Sequence, residues 1–311
     1  MFSQFELSSE QKKLIKEINK LKKERDAVII VHNYQRPEVQ EIADILGDSL
    51  ALSRSAAKTQ QKVIVFCGVH FMAESAAILC PGKTVLLPEL EAGCPMAEMV
   101  TAKKLHEFKK NYPKAKVVCY VNSSADVKAE SDICCTSSNA TKVVQSIKDT
   151  DEIIFVPDKN LAHYTSSFTE KKIIPWNGFC PTHHRLKPED VIKTKEAHPN
   201  ATVIAHPECK PSILALVDYV LSTEGMVRYS KETKAKEIIV CTEVGMLYRL
   251  KKDNPDKNFY SPLEEMICPN MKLNTLESVL NSLEKMEHVV TVSEDVRLKA
   301  KMALDKMLEI Q

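Results

Sequence analysis

Two rhythms alternate along this chain, and the switch from one to the other recurs. Short apolar runs of strand character are each followed by stretches with helical spacing, a pattern that predicts an α/β fold with mainly parallel sheets. Val28-Ile29-Ile30-Val31-His32-Asn33-Tyr34, Val117-Val118-Cys119-Tyr120-Val121-Asn122-Ser123 and Thr202-Val203-Ile204-Ala205-His206-Pro207-Glu208 form one series, and every run ends in polar side chains. Val63-Ile64-Val65-Phe66, Glu152-Ile153-Ile154-Phe155 and Glu237-Ile238-Ile239-Val240 form a second. Both series return at nearly even intervals, so the chain reads as three copies of one unit. The units span residues 1–97, with an N-terminal helix, then 98–187 and 188–284.

Helical spacing supports this division. Pro37 suits a first turn, and Val39, Ile42, Ala43 and Leu46 fall on one face of a predicted helix. In the third unit Asn274 and Glu277 predict a variant capping box ahead of Leu276, Val279, Leu280 and Leu283. Leu14, Ile18 and Leu21 mark a helix near the N-terminus. The tail from Ser293 to Gln311, with Val296, Ala300, Ala303, Leu304 and Met307 on one face, predicts another, and segment 285–311 is expected to pack back on the first unit.

Two further motifs follow the same repeat. An aspartate precedes a hydroxyl residue by five positions in Asp48 to Ser53, Asp132 to Ser137 and Asp218 to Thr223. Cys94, Cys180 and Cys268 are each followed by proline, and each comes after a short apolar run: Val85-Leu86-Leu87, Ile173-Ile174 and Phe259-Tyr260. Ligands of open α/β sheets bind beyond the carboxyl ends of the strands, and all three Cys-Pro pairs are predicted there. One soft thiolate from each unit is what a single threefold-liganded metal centre needs.

Composition narrows the possibilities. The 311 residues carry 43 basic and 42 acidic side chains, a net charge of +1, which gives no support to a nucleic-acid groove or a polybasic membrane anchor. No stretch approaches the ~18 apolar residues of a membrane span, and the N-terminus lacks an apolar signal core, so a cytoplasmic protein is expected. Its seven glycines form neither a dinucleotide-binding nor a phosphate-loop pattern.

Ten cysteines suggest a reducing compartment. Cys67, Cys119, Cys134, Cys135 and Cys241 lie in strand runs as small core residues, and Cys80 ends a helix. Cys209 stands beside His206 and Glu208 without a repeat partner. For the Cys-Pro trio two metals fit. Zinc could take three cysteines with His183 or His184, although the paired spacing usual for such sites is missing. Iron and sulfide also suit thiolates, and a cubane with three cysteine ligands leaves one iron open.

The runs His32-Asn33-Tyr34, Leu90-Glu91-Ala92-Gly93-Cys94, Tyr120-Val121-Asn122, Thr136-Ser137-Ser138-Asn139-Ala140, Trp176-Asn177-Gly178-Phe179-Cys180-Pro181-Thr182-His183, His206-Pro207-Glu208-Cys209, Thr242-Glu243 and Cys268-Pro269-Asn270-Met271 resemble the quinolinate synthase family. The resemblance extends from about Asp26 to Leu280. It implies three homologous three-layer α/β/α domains related by pseudo-threefold symmetry, around a 4Fe–4S cluster held by Cys94, Cys180 and Cys268. It implies a transferase of NAD biosynthesis that condenses iminoaspartate with dihydroxyacetone phosphate, losing phosphate and two waters to give quinolinate. L-aspartate oxidase or an aspartate dehydrogenase is the implied supplier of the imine.

Roles for single residues also follow from the resemblance. His32 is expected to bind a carboxylate or phosphate and Tyr34 to serve in proton transfer, provided its pKa falls well below ~10. Tyr120 and Asn122 match a substrate-orienting pair, and His183 a cavity histidine. Glu208, flanked by His206, is the expected principal base, its pKa raised towards the working range by a partly dry cavity. Ser49, Ser137, Ser222 and Thr223 match hydroxyls that bind substrate carboxylate and phosphate, and all four suit helix starts, where free N–H groups attract anions. An electron-transfer protein, or a zinc-stabilised binding module for a phosphorylated ligand, would use the same cysteines differently.

Overall fold

A computed structural model describes residues 5–310; Gln311 of the predicted tail helix and the first four residues of the first unit lie outside them. Among the described residues twelve strands form three separate four-stranded parallel sheets. The first contains β1 (Ala27–His32), β2 (Ile45–Gly47), β3 (Val63–Cys67) and β4 (Thr84–Leu86). The second holds β5 (Lys116–Tyr120), β6 (Ile133–Cys135), β7 (Glu152–Val156) and β8 (Lys172–Pro175). In the third are β9 (Thr202–Ala205), β10 (Tyr219–Val220), β11 (Glu237–Cys241) and β12 (Asn258–Tyr260). Each sheet has its second strand at one edge, followed by the first, third and fourth, so the predicted triplication is a repeat of topology.

Both faces of each sheet are covered. In β1, Val28 and Ile30 belong to the large central core while Ile29 and Val31 face a second core, as alternation along a strand requires. That second core is completed by Ile18 of the helix Ser9–Glu24 and by Leu276, Val279, Leu280 and Leu283 of the helix Leu276–Lys285. Val279 and Leu283 are fully buried, each worth roughly 1.5–3 kcal/mol by apolar burial. The helix Pro188–Ala197, which follows Cys180, packs on β11 of the next sheet. Helix Leu276–Lys285, which follows Cys268, packs on β3 of the first. Side-chain bonds join each pair of units, Ser138 to Asp48 at 2.5 Å, Tyr120 to Glu208 at 2.6 Å and Tyr34 to Thr242 at 2.7 Å, so the three units close into a ring.

Strand register fixes which residues are equivalent. Ile30 pairs with Ile45 and Phe66, Val118 with Ile133 and Phe155, and Ile204 with Tyr219 and Val240. One residue before each second strand, Asp44, Asp132 and Asp218 accept a hydrogen bond from a first-strand amide: Ile29 at 2.9 Å, Val117 at 2.8 Å and Val203 at 2.7 Å. The repeated aspartate of the first unit is thus Asp44, and its hydroxyl partner is Ser49. The predicted pairing of Asp48 with Ser53 is four residues out of register, because Asp48 caps the helix Ser49–Lys58 through the Ala51 amide at 2.8 Å.

The helix predicted through Leu46 is also cut short. It lasts one turn, Pro37–Gln40, because Asp44 and Ile45 are drawn onto β1 and the chain becomes β2. In the third unit the capping box is made by Thr275 and Ser278, whose side chains bond each other's backbone amides at 3.2 and 3.0 Å. Asn274 instead donates to the Gly68 carbonyl at 2.8 Å. The C-terminal helix Glu294–Glu309 touches the first unit through the helix His70–Leu79 and reaches further, across β6 and the helix Ala125–Ala129 of the second.

Candidate active site

The carboxyl ends of the three sheets face one cavity of about 680 Å³, part of it open to solvent. Four equivalent positions of the repeat line it: His32, Tyr120 and His206; Tyr34, Asn122 and Glu208; Ser49, Ser137 and Thr223; Cys94, Cys180 and Cys268. The first two sets leave the ends of β1, β5 and β9, the third lies at or just before the starts of the helices after β2, β6 and β10, and the last follows the fourth strands. An apolar wall of Val69, Phe71, Met72 and Met96 comes from the first unit. Ser222 lies behind the cavity lining, accepting from Gly225 N at 3.2 Å as the cap of the helix Thr223–Glu232.

A chain of hydrogen bonds crosses the cavity wall. Tyr34 Oη lies 2.7 Å from Thr242 Oγ1, which is 2.9 Å from His183 Nε2. His183 Nδ1 is 2.8 Å from Glu208 Oε2. An ionised carboxylate only accepts, so Nδ1 carries a proton and donates it to Glu208, and Nε2, Thr242 Oγ1 and Tyr34 Oη continue the chain. Glu208 Oε1 accepts the Tyr120 hydroxyl at 2.6 Å and an Asn122 Nδ2 hydrogen at 3.5 Å.

Burial alone would raise the Glu208 carboxyl, but the nearby histidines and the bonds from His183 and Tyr120 outweigh it and hold the pKa at about 2. This corrects the expectation of a raised pKa: Glu208 is buried, yet two strong donors stabilise the charged form. Tyr34 and Tyr120 move the other way, well above the ordinary phenol value, through burial and the Glu208 charge. Tyr34 therefore does not meet the condition of a depressed pKa and stays protonated. Burial lowers His32 and His206 to about 3, and both are neutral donors at physiological pH.

Two cavity hydroxyls are set as donors from behind. His206 Nδ1 accepts the Glu208 amide at 3.4 Å, so its Nε2–H donates to Ser137 Oγ at 3.0 Å. Asn33 Nδ2 donates to Thr223 Oγ1 at 2.9 Å, and Arg249 holds Asn33 Oδ1 at 2.5 Å. With its oxygen engaged, each hydroxyl keeps a hydrogen to offer an anion.

The cysteines suit a metal centre by their chemistry. Each caps or precedes a short helix, at Pro95–Glu98, Pro181–His184 and Asn270–Lys272. Burial pushes Cys94 up to about 12 and raises Cys180 and Cys268, and the Cys94 and Cys180 thiolates would also repel their neighbours. Three thiolates lining one cavity would be stabilised by a cationic core. A second donor set, Cys180, His183 and Glu208, lies within 4.8 Å but shares its cysteine with the first, and its histidine proton is already given to Glu208. His184, the other histidine considered for zinc, faces Phe179 with ring centroids 4.3 Å apart.

Residues 16–309 match the model of the family described as "NadA: Quinolinate synthetase A protein". The chain belongs to the quinolinate synthetase A family. It is 59% identical over 302 residues to "Quinolinate synthase 1" of Methanosarcina acetivorans, covering 97% of this chain and 99% of that protein. Identity to the "Quinolinate synthase" of Methanosarcina barkeri is 58% with the same coverage, and to that of Thermodesulfovibrio yellowstonii 57% over 297 residues, covering 95% and 98%. No helix among the described residues is long and apolar enough to cross a membrane.

Sequence reasoning placed most of the cavity but gave no role to Thr242, Asn33 or Asp158. A signal existed: Thr242 and Asp158 stand just beyond the third strands, at positions the repeat register defines.

Proposed function

We propose that this quinolinate synthetase A family member condenses iminoaspartate with dihydroxyacetone phosphate, releasing phosphate and two waters to form quinolinate for NAD biosynthesis. One observation carries the reading: four equivalent positions from three repeats, with a thiol in every unit, converge on a single cavity. Cys94, Cys180 and Cys268 would hold a 4Fe–4S cluster, which supplies a Lewis-acidic iron when bound.

The chain's own residues account for binding and proton movement. Ser137, Thr223, Ser49 and neutral His32 supply hydrogen bonds to the carboxylates and phosphate of two anionic substrates. Tyr120 and Asn122 orient the substrates beside Glu208. With His183 Nε2 unprotonated, Tyr34 can take a proton from the substrate while its own passes through Thr242 to Nε2, giving an imidazolium that the Glu208 carboxylate holds. The His183–Glu208 pair is the base in this reading, since a carboxylate at about 2 is a weak base alone but stabilises an imidazolium beside it. A reducing cytoplasm suits ten free cysteines, and L-aspartate oxidase or an aspartate dehydrogenase would supply the imine.

Anaerobic purification followed by iron and sulfide counting, with an assay for quinolinate from the imine and triose phosphate, tests the reading. Alanine at any of Cys94, Cys180 and Cys268 should abolish cluster and activity together. A colourless zinc protein that forms no quinolinate would refute it.

A further inference from the structure

The three cysteine loops are fastened alike at one point and differently at another. His70 N donates to Ala92 O at 2.8 Å, Lys159 N to Gly178 O at 2.9 Å and Val244 N to Met266 O at 2.9 Å, each two residues before its cysteine. Immediately before those amides stand Val69, Asp158 and Glu243, which register makes equivalent. Asp158 Oδ2 accepts the Cys180 amide at 3.2 Å, and Glu243 Oε1 accepts the Cys268 amide at 3.1 Å. The second oxygen is also used: Asp158 Oδ1 takes Leu161 N at 2.7 Å, and Glu243 Oε2 takes Gly245 N at 2.7 Å. Both side chains are fully buried. Lys272 pairs with Glu243 at 2.9 Å. In the first unit valine occupies this position, beside a Cys94 that also borders a second solvent-facing cleft with Phe71 and Gly93.

We infer that Asp158 and Glu243 are positioning residues for the metal centre, presetting the Cys180 and Cys268 loops while the Cys94 loop is held by backbone bonds and packing. The physical reason is geometric. A cysteine tied at its own amide keeps the direction of its Cα–Cβ bond, so its sulfur is confined to the few staggered positions of one backbone placement, and shifting the loop breaks a buried hydrogen bond and orphans an amide. Outer partners of metal ligands act in this way generally. The inference rests on the cluster proposed above; neither residue needs to touch substrate.

Asp158→Asn and Glu243→Gln keep the size of each side chain but replace one acceptor oxygen by a donor. After anaerobic reconstitution both variants should release iron to excess chelator about 10–100-fold faster than the unsubstituted chain. Their visible circular dichroism, which follows the cysteine torsions, should also change. Asp132→Asn removes a similar carboxylate–amide bond outside the three Cys-Pro loops and should release iron at the unsubstituted rate, while Glu243→Asp, keeping both oxygens, should recover part of the loss. An unsubstituted chain that takes up no iron and sulfide would sink the cluster and this inference with it. If that chain loads normally and Asp158→Asn and Glu243→Gln match it in release rate and dichroism, the inference alone is overturned. Should the variants not fold, hydrogen exchange in the unsubstituted apo chain decides: slow exchange at the Cys180 and Cys268 amides supports it, and solvent-like exchange refutes it.

Discussion

Tyr120 at the end of β5 donates its hydroxyl to Glu208 beyond β9 at 2.6 Å, joining the second unit to the third inside the cavity. The bond neutralises part of a buried negative charge, so its loss should be felt in both folding and chemistry. Tyr120→Phe is expected to destabilise the apo chain by about 1–3 kcal/mol in denaturant unfolding. Iron content should not change, and quinolinate formation should slow. A variant as stable as the parent would show that the hydroxyl does not serve Glu208.

His32 and His206 are buried as neutral rings with pKa values near 3, against roughly 6.5 in an unfolded chain. Between those limits the unfolded state binds more protons, so stability rises with pH. The sign is therefore fixed: this contribution is complete above about pH 6.5 and is lost as pH falls towards 3, by up to about 1.4 kcal/mol per pH unit for each ring. Urea unfolding of the apo chain across that range should show the slope, and His32→Asn should flatten it. A parent profile flat from pH 7 to 4 would contradict the buried neutral rings.

The repeat was legible because period, strand ends and Cys-Pro pairs all recur in the linear chain. Three things were not. The first-unit aspartate was misread because Asp44 and Asp48 each precede a serine by five residues, and only pairing of β2 with β1 distinguishes them. The sign of the Glu208 shift depends on His183 and Tyr120, which are remote in sequence and meet it only when the ring of units closes. The helix through Leu46 failed because short apolar runs fit either period, and a tertiary bond from Asp44 decides for strand.

Asn33 and Thr223 show how a hydroxyl is oriented from another unit. With its oxygen taken by Asn33 Nδ2 at 2.9 Å, Thr223 can donate only towards the cavity. Thr223→Val keeps the shape and removes that donor. Losing one hydrogen bond to a charged substrate should raise KM by about tenfold, with kcat less affected. Asn33→Ala should raise KM in the same direction by releasing the hydroxyl. An unchanged KM in Thr223→Val would remove the residue from anion binding.

Gly178 and Gly93 precede their cysteines at nearly the same place but differ in surroundings. A Cβ on Gly178 would sit 2.4 Å from the Pro157 carbonyl oxygen, a backbone atom that cannot step aside. Alanine there must separate the two segments, straining the Lys159–Gly178 bond and displacing the Cys180 loop, at a cost of about 1–3 kcal/mol. A Cβ on Gly93 would meet Glu98 Oε1 at 3.1 Å, the free end of a flexible side chain. Gly178→Ala should therefore lower both the unfolding midpoint and the iron bound per chain, while Gly93→Ala leaves both near the parent values. Equal behaviour of the two variants would mean that the second loop is not seated against Pro157 as described.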